Sequence, residues 1–210
     1  DYIITYGMGY ATFYHNSNGI EQELTIFVPK EDKVKVNLVK MKNESDAERN
    51  ISLYYYIRPV LGVTDEETEK LIETDIANNI VIVKNSTNTE FKGSNLFIST
   101  SEDIRSYTGD RNEFLGTIPN YELPEGMKRV RLSNSIGIGY NPCVAIEVNI
   151  SLQANEEKEI VFLLAEDKDR ESGYKLMELY KDIQFTKNSL EKTKQFWENL
   201  VSTIQVDTPD

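Results

Sequence analysis

The stretch VAIEVNISLQANEEKEIVFLL, Val144 to Leu164, decides the fold. Val144, Ile146, Val148, Ile150 and Leu152 alternate with Glu147, Asn149 and Ser151, the period of two that turns one side of a strand to a core and the other to water. QANEEKE, Gln153 to Glu159, is a polar turn, and Ile160 to Leu164 resumes as an apolar run. Short alternating strands joined by polar turns assemble into antiparallel sheets, most economically a sandwich.

The same grammar recurs toward the N-terminus. Residues 2–14 read as one strand with Tyr2, Ile4, Tyr6, Met8, Tyr10 and Tyr14 on one face and Gly7, Gly9 and Ala11 on the other, a small face that admits close approach of another backbone. NSNGI, Asn16 to Ile20, is a turn signal, and IEQELTIFVP starts the returning strand of a hairpin. Val34 to Lys42, Ile51 to Ile57, Ile80 to Lys84 and Leu96 to Ser99 read as further strands. After Glu166 the period lengthens. Glu171 to Lys181 carries Leu176, Leu179 and Tyr180 at helical spacing. Thr186 reads as the N-cap of a second helix with Leu190, Trp197, Leu200 and Val201 along one stripe. QVDTPD then closes the chain, and Pro209 forbids helix continuation. The expected organisation is a β-sandwich over 1–166 and a helical linker over 167–210.

Composition narrows the function. A chain of 210 residues with 39% apolar content can bury a real core, and a net charge of -12 repels nucleic acid and anionic membrane faces. The single cysteine, Cys143, excludes an internal disulfide and suits a reducing, cytoplasmic compartment. No apolar run approaches the ~20 residues of a membrane span. The sequons at Asn43 and Asn149 read as chance, and an opening at Asp1 straight into a strand reads as a piece of something longer.

No catalytic, metal or cofactor constellation is expected. The chain has no CxxC, HExxH, phosphate-cradling glycine loop or nucleophile elbow. Any triad would need His15, which reads as a solvated histidine beside a turn, and Cys143, following Asn-Pro, reads as a small core residue. Most carboxylates fall in turns, where a solvated surface is the default. The tyrosine stripe admits sugar contact through Tyr6 and Tyr10, since a phenol offers an apolar face and a hydroxyl, but packing between sheets is the better reading. The run Tyr54 to Tyr56 must point to both faces of its strand.

One loop stands apart: SYTGDRNEFLG, Ser106 to Gly116, with an Asp-Arg pair, an acid and an exposed-looking Phe-Leu. Together with TYGMGYATF, NGIEQELTIFVP, GIGYNPCVAIEVNISLQANEEKEIVFLLAE and FWENLVSTIQVDTPD, it resembles one family from end to end. That family is the N-terminal β-sandwich of the glycosyltransferase 36 proteins, also classed as glycoside hydrolase family 94, and TGDRNEFLG is closer to its cyclic-glucan-synthase and β-1,2-oligoglucan branch.

The resemblance implies a galactose-mutarotase-like supersandwich, linker helices and an (α/α)6 catalytic barrel in the whole protein. The barrel would hold the catalytic Asp and use inorganic phosphate as the attacking, inverting nucleophile. This chain would itself be inactive, its partners being that barrel, a second subunit and a β-linked glucan or oligosaccharide. A cyclic glucan synthase parent would be membrane-associated. Within the loop, Gly109 is expected to supply a turn. Asp110 and Arg111 are expected to pair with each other or with polar groups across a domain boundary, and Phe114 and Leu115, with Glu113 beside them, to anchor a docking surface that shapes the active-site rim; a purely internal loop and direct sugar contact are the alternatives for this stretch. The competing readings are a free-standing carbohydrate-binding module and, by fold analogy alone, a mutarotase-like epimerase, whose paired histidines this chain lacks.

Overall fold

Where the apolar period is two the chain forms strands, and where it lengthens past Glu166 it forms helices. The computed structural model describes residues 2–89 and 93–203. In chain order these are β1 Tyr2–Gly7, β2 Tyr10–Ser17, β3 Ile20–Phe27, β4 Val34–Asn43, β5 Arg49–Ile57, the one-turn α1 Asp65–Thr68, β6 Glu73–Ala77, β7 Ile80–Lys84 and β8 Asn95–Thr100. There follow β9 Ser106–Asp110, α2 Arg111–Leu115, a 3₁₀ turn Glu125–Lys128, β10 Pro142–Leu152, β11 Glu157–Asp167, α3 Arg170–Lys181 and α4 Ile183–Val201. An 8-stranded antiparallel sheet has the order β1-β2-β3-β4-β11-β8-β7-β6, and a 3-stranded sheet has the order β5-β10-β9.

The polar turn after Leu152 carries the chain from one sheet to the other. β10 lies in the small sheet and β11 in the large one, so Val144, Ile146 and Val148 face Ile160 and Phe162 across the sandwich. The other side of β11 presents Val161, Leu163 and Ala165 to Met177, Tyr180 and Leu190 of the two helices. The result is three layers: helices, large sheet, small sheet. Asn43, fully buried at the end of β4, ties the sheets together by donating to the carbonyls of Leu152 (3.1 Å) and Gln153 (3.0 Å). Buried donors of this kind must find partners, and here the partner is the opposite sheet.

The first strand is two strands. Met8 and Gly9 form a tight turn between β1 and β2, with Gly9 at φ +81, so Tyr6 and Tyr10 fall on opposite faces. A Cβ on Gly9 would lie 2.3 Å from the Trp197 ring, and one on Gly7 would lie 2.0 Å from the Tyr10 ring. The small residues therefore serve a turn and an aromatic lid. The Asn18-Gly19 turn has φ of 54 and 75, the double left-handed conformation that joins strands of natural twist.

The helices are shifted from their expected frame. Thr186 is not a cap; Asp182 is, accepting from the Phe185 N–H at 2.9 Å, while the buried Thr186 hydroxyl donates to the Tyr180 carbonyl at 2.7 Å. One extended residue, Asp182, separates the helices, so α4 begins earlier than its apolar stripe. Its buried residues are Thr186, Leu190 and Thr193, and those of α3 are Gly173, Met177 and Tyr180. Leu179, Leu200 and Val201 are exposed. The ending QVDTPD lies outside the described residues from position 204 onward.

Candidate functional site: the 106–141 excursion

Between β9 and β10 the chain leaves the small sheet and folds over its outer face. The stretch SYTGDRNEFLG is the start of this excursion: an edge strand followed by one helical turn, not a loop. Phe114 and Leu115 are not presented outward. They are 3% and 1% exposed, packed with Leu132 on Cys143 and Ala145, and the Phe114 ring stacks on Tyr56 at 5.3 Å. The small sheet has an apolar outer side at this end, and a chain crossing it buries whatever apolar groups it carries. Tyr54 and Tyr56 line this side and Tyr55 the other, as the strand period requires.

The polar residues of the stretch act as rivets. Asp110 caps α2 by accepting from the Asn112 N–H at 2.8 Å, and Arg111 donates to the hydroxyls of Tyr56 (3.3 Å) and Tyr121 (3.1 Å). The Asp-Arg neighbours thus serve different partners. Glu113 holds the returning half of the excursion. It accepts from Thr108 Oγ1 at 2.6 Å, Ser133 Oγ at 2.5 Å, the Ser133 N–H at 2.8 Å and Arg129 Nη1 at 3.3 Å. Burial pushes its carboxyl up, but the bonds from Ser133 and Thr108 and the Arg129 charge outweigh it and hold its pKa below the ordinary carboxylate value.

Gly109 is a strand residue rather than a turn. A Cβ there would lie 2.9 Å from Thr74 Oγ1, and the residue's N–H donates to the Ser135 carbonyl at 2.7 Å. Its smallness lets segment 133–139 slot between the two sheets. The turn conformation belongs to Gly116, at φ +92.

Sequence reasoning missed Glu147. Its alternation marks a solvated position, yet it is fully buried, because the excursion covers that side of β10. Arg105 Nη1 donates to it at 2.8 Å, Ser106 Oγ donates to its second oxygen, and Ser106 Oγ in turn accepts from the Leu132 N–H at 2.9 Å. Burial and then the Glu147 charge push the neighbouring Tyr54 phenol above its usual value. The run Pro142 to Ile146, apolar on both faces, is the signal that this strand end is covered twice.

The excursion has a second, outward face. Ile118 is 86% exposed, Tyr121 68% and Val130 83%, and Leu123 and Met127 of the same segment are also exposed. These side chains are displayed on a segment whose inner face is pinned, unlike Phe114 and Leu115, which pin it. Of the other candidates, Tyr6 is 79% exposed and Tyr10 packs against the helix-side core with Lys194 Nζ 4.9 Å from its ring centroid. Tyr6 and Tyr10 lie on β1 and β2 of the large sheet, whereas the excursion packs on the outer face of the small sheet. His15 is within β2, stacked on Tyr2 at 4.3 Å, and Cys143 is fully buried with its thiol pushed up to about 12 by burial. Among the described residues no group of three or more His, Cys, Asp or Glu is placed to hold a metal ion.

The family model for "Glycosyl hydrolase 94, supersandwich domain" matches residues 1–183, the sheets, the excursion and α3. The chain belongs to the glycosyl hydrolase 94 supersandwich family. This supersandwich domain is 26% identical over 98% of its length to the cyclic beta-(1,2)-glucan synthase NdvB of Rhizobium meliloti, covering 7% of that protein. It is 27% identical over its whole length to the N,N'-diacetylchitobiose phosphorylase of Vibrio proteolyticus, covering 27% of it. The domain thus spans about a quarter or less of the length of these curated relatives. A polysaccharide lyase shares the fold, with a TM-score of 0.51 at 10% identity over 81% of the supersandwich domain and 23% of the lyase. The domain type is therefore one found in family 94 phosphorylases and glucan synthases, as part of much longer polypeptides.

Proposed function

We propose that this supersandwich domain is the non-catalytic part of an inverting β-glycoside phosphorylase or of a cyclic β-1,2-glucan synthase, and that it docks on a helical catalytic barrel and shapes the rim of its active site. The observation that carries the reading is the two-sided excursion. A segment fastened from beneath by Glu113, Phe114 and Leu115 keeps Ile118, Tyr121 and Val130 in water, and large apolar groups held exposed on one fastened segment point to an interaction surface. Inorganic phosphate would be the co-substrate at the barrel, a β-linked glucan or oligosaccharide the sugar, and a second subunit a further partner. The near-equal identities to a glucan synthase and to chitobiose phosphorylases favour neither parent.

The test is an Ile118→Ser, Val130→Ser double variant of the full-length polypeptide, assayed for phosphate-dependent cleavage of β-linked disaccharides and for domain association in solution. Both residues are exposed, so the domain should stay folded while kcat/KM falls about tenfold or more, the scale of ~1.4 kcal/mol of lost docking or positioning energy. Unchanged turnover and unchanged association would remove the docking role.

A carbohydrate-binding module is the second reading, favoured by the exposed Tyr121 ring with its hydroxyl held by Arg111. Saturable chemical shifts of the domain with β-glucans in solution would establish it, and their absence would discard it.

A further inference from the structure

The helix side of the large sheet changes character along its width. Where the helices pack on it, it is apolar: Phe27, Val34 and Val36 join Val161 and Leu163 in the helix-side core. Toward β1 it turns polar in cross-strand rows. One row reads Thr5↔Thr12↔Thr25 before it reaches Leu38, and the next reads Tyr14↔Glu23↔Lys40↔Glu159. The row on the other side is Gly7↔Tyr10↔Phe27. A Cβ on Gly7 would fall 2.0 Å from the Tyr10 ring, so that ring lies across the bare backbone of β1 as a platform.

α4 stands beside these rows as a wall. Gln184, Asn188, Glu191 and Lys194, three and four residues apart, follow one another along it, and between them and the threonine row lies a groove of ≈ 550 Å³. That is within the range of roughly 300–1,000 Å³ of sites that hold small ligands. On its floor the Thr12 and Thr25 hydroxyls meet at 3.1 Å, and Thr25 is buried, so these groups keep fixed places. Lys40, Lys187 and Lys194 face Glu23, Glu159 and Glu191 around it. The equal numbers leave the groove without the net charge that would draw in an ion, although the chain as a whole carries -12. Hydroxyls, amides, carboxylates and ammonium groups gathered around one aromatic face match a ligand whose own groups both donate and accept and whose ring presents C–H surface.

We infer that this groove is a binding site for a neutral oligosaccharide, with a pyranose ring against Tyr10 and its hydroxyls shared among the Thr5, Thr12 and Thr25 row, Glu23 and Asn188. Lys194 Nζ stands 4.9 Å from the Tyr10 centroid and 2.8 Å from Glu191, and Lys187 Nζ stands 3.0 Å from both Glu159 oxygens. Partly exposed contacts of this kind are weak, so ligand hydroxyls exchange for them readily. Tyr14, four residues along β2 from Tyr10 and on the same side, lies roughly 14 Å away at the ordinary strand rise, which leaves room for more than one sugar unit. The groove is on the helix side of the large sheet, whereas the excursion packs on the small sheet, and the inference does not rest on the docking role.

The test uses the full-length polypeptide, labelled at threonine methyl groups and titrated with cellotetraose, β-1,2-glucotetraose, maltotetraose and, as a charged control, tetragalacturonate. The expected result is saturable shifts of the Thr5, Thr12 and Thr25 methyl groups with at least one neutral tetrasaccharide. In a Thr12→Val, Asn188→Ala double variant, read at Thr5 and Thr25, the affinity should fall about tenfold or more. Asn188→Ala alone, at an exposed helix position, carries the comparison if the double variant unfolds. Shifts with maltotetraose alone would uphold the site and separate it from the β-linked class of the proposed function. Unmoved threonine methyl groups with every neutral tetrasaccharide would overturn the inference, as would an affinity that neither variant alters. Tighter binding of tetragalacturonate would show recognition of charge rather than of hydroxyls, and would overturn it too.

Discussion

Replacing Glu113 should loosen the excursion before it touches the sandwich. The carboxylate accepts four bonds, two from hydroxyls at 2.5 and 2.6 Å, one from the Ser133 N–H and one from Arg129. Bonds to a charged acceptor contribute about 1.5–3 kcal/mol each, but Ser133 and Arg129 are exposed and rehydrate when the acceptor is lost, so Glu113→Ala should cost about 2–3 kcal/mol rather than the sum. For a chain of this size that corresponds to a fall of roughly 5–10 °C in Tm. Glu113→Gln keeps one oxygen for the Ser133 N–H, and the hydroxyls of Thr108 and Ser133 can turn to accept from its amide, so its cost should be about 1 kcal/mol.

Thermal unfolding and limited proteolysis give the readouts, with cleavage expected first within 117–131. pH provides an independent arm. Because the folded-state pKa of Glu113 is depressed below 4.5, its contribution is full above that pH and is lost as pH falls through the folded value. The stability gap between the wild-type chain and Glu113→Gln should therefore narrow below about pH 4.5, since glutamine does not titrate. A Glu113→Ala chain within about 0.5 kcal/mol of wild type, the usual range for an inert surface change, with unaltered proteolysis, would refute the rivet role.

Gly173→Ala tests the helix-to-sheet contact. Alanine gains about 1 kcal/mol of helix propensity, but its Cβ would lie 2.3 Å from the fully buried Phe97 ring, and overpacking costs about 1–3 kcal/mol, so a net loss of up to about 2 kcal/mol in denaturant melts is expected. A stabilised variant would show that α3 can lift freely. Cys143 should resist thiol reagents at pH 8 in the native chain and react on unfolding, because burial pushes its thiol up to about 12 and leaves it fully covered. Rapid native labelling would mean that the excursion opens easily.

Local pattern was enough to determine the strands whose two faces differ, the Asn18-Gly19 turn and the two terminal helices, because alternation, turn chemistry and helical spacing act over a few residues. The resemblance carried by five separated segments was legible for the same reason: it needs no knowledge of what touches what. Fates set by a distant segment were not legible. Phe114 and Leu115 looked like exposed anchors, and Glu147 like a solvated strand residue, because nothing in their neighbourhoods shows that residues 111–141 fold back over β10. The split of residues 2–14 depends on the Tyr10 ring lying over Gly7 and on Trp197 packing against Gly9, almost two hundred residues away in sequence. Burial of that kind is a property of the assembled layers, and only the tertiary structure decides which groups of this chain are fastened inside and which are left for a partner.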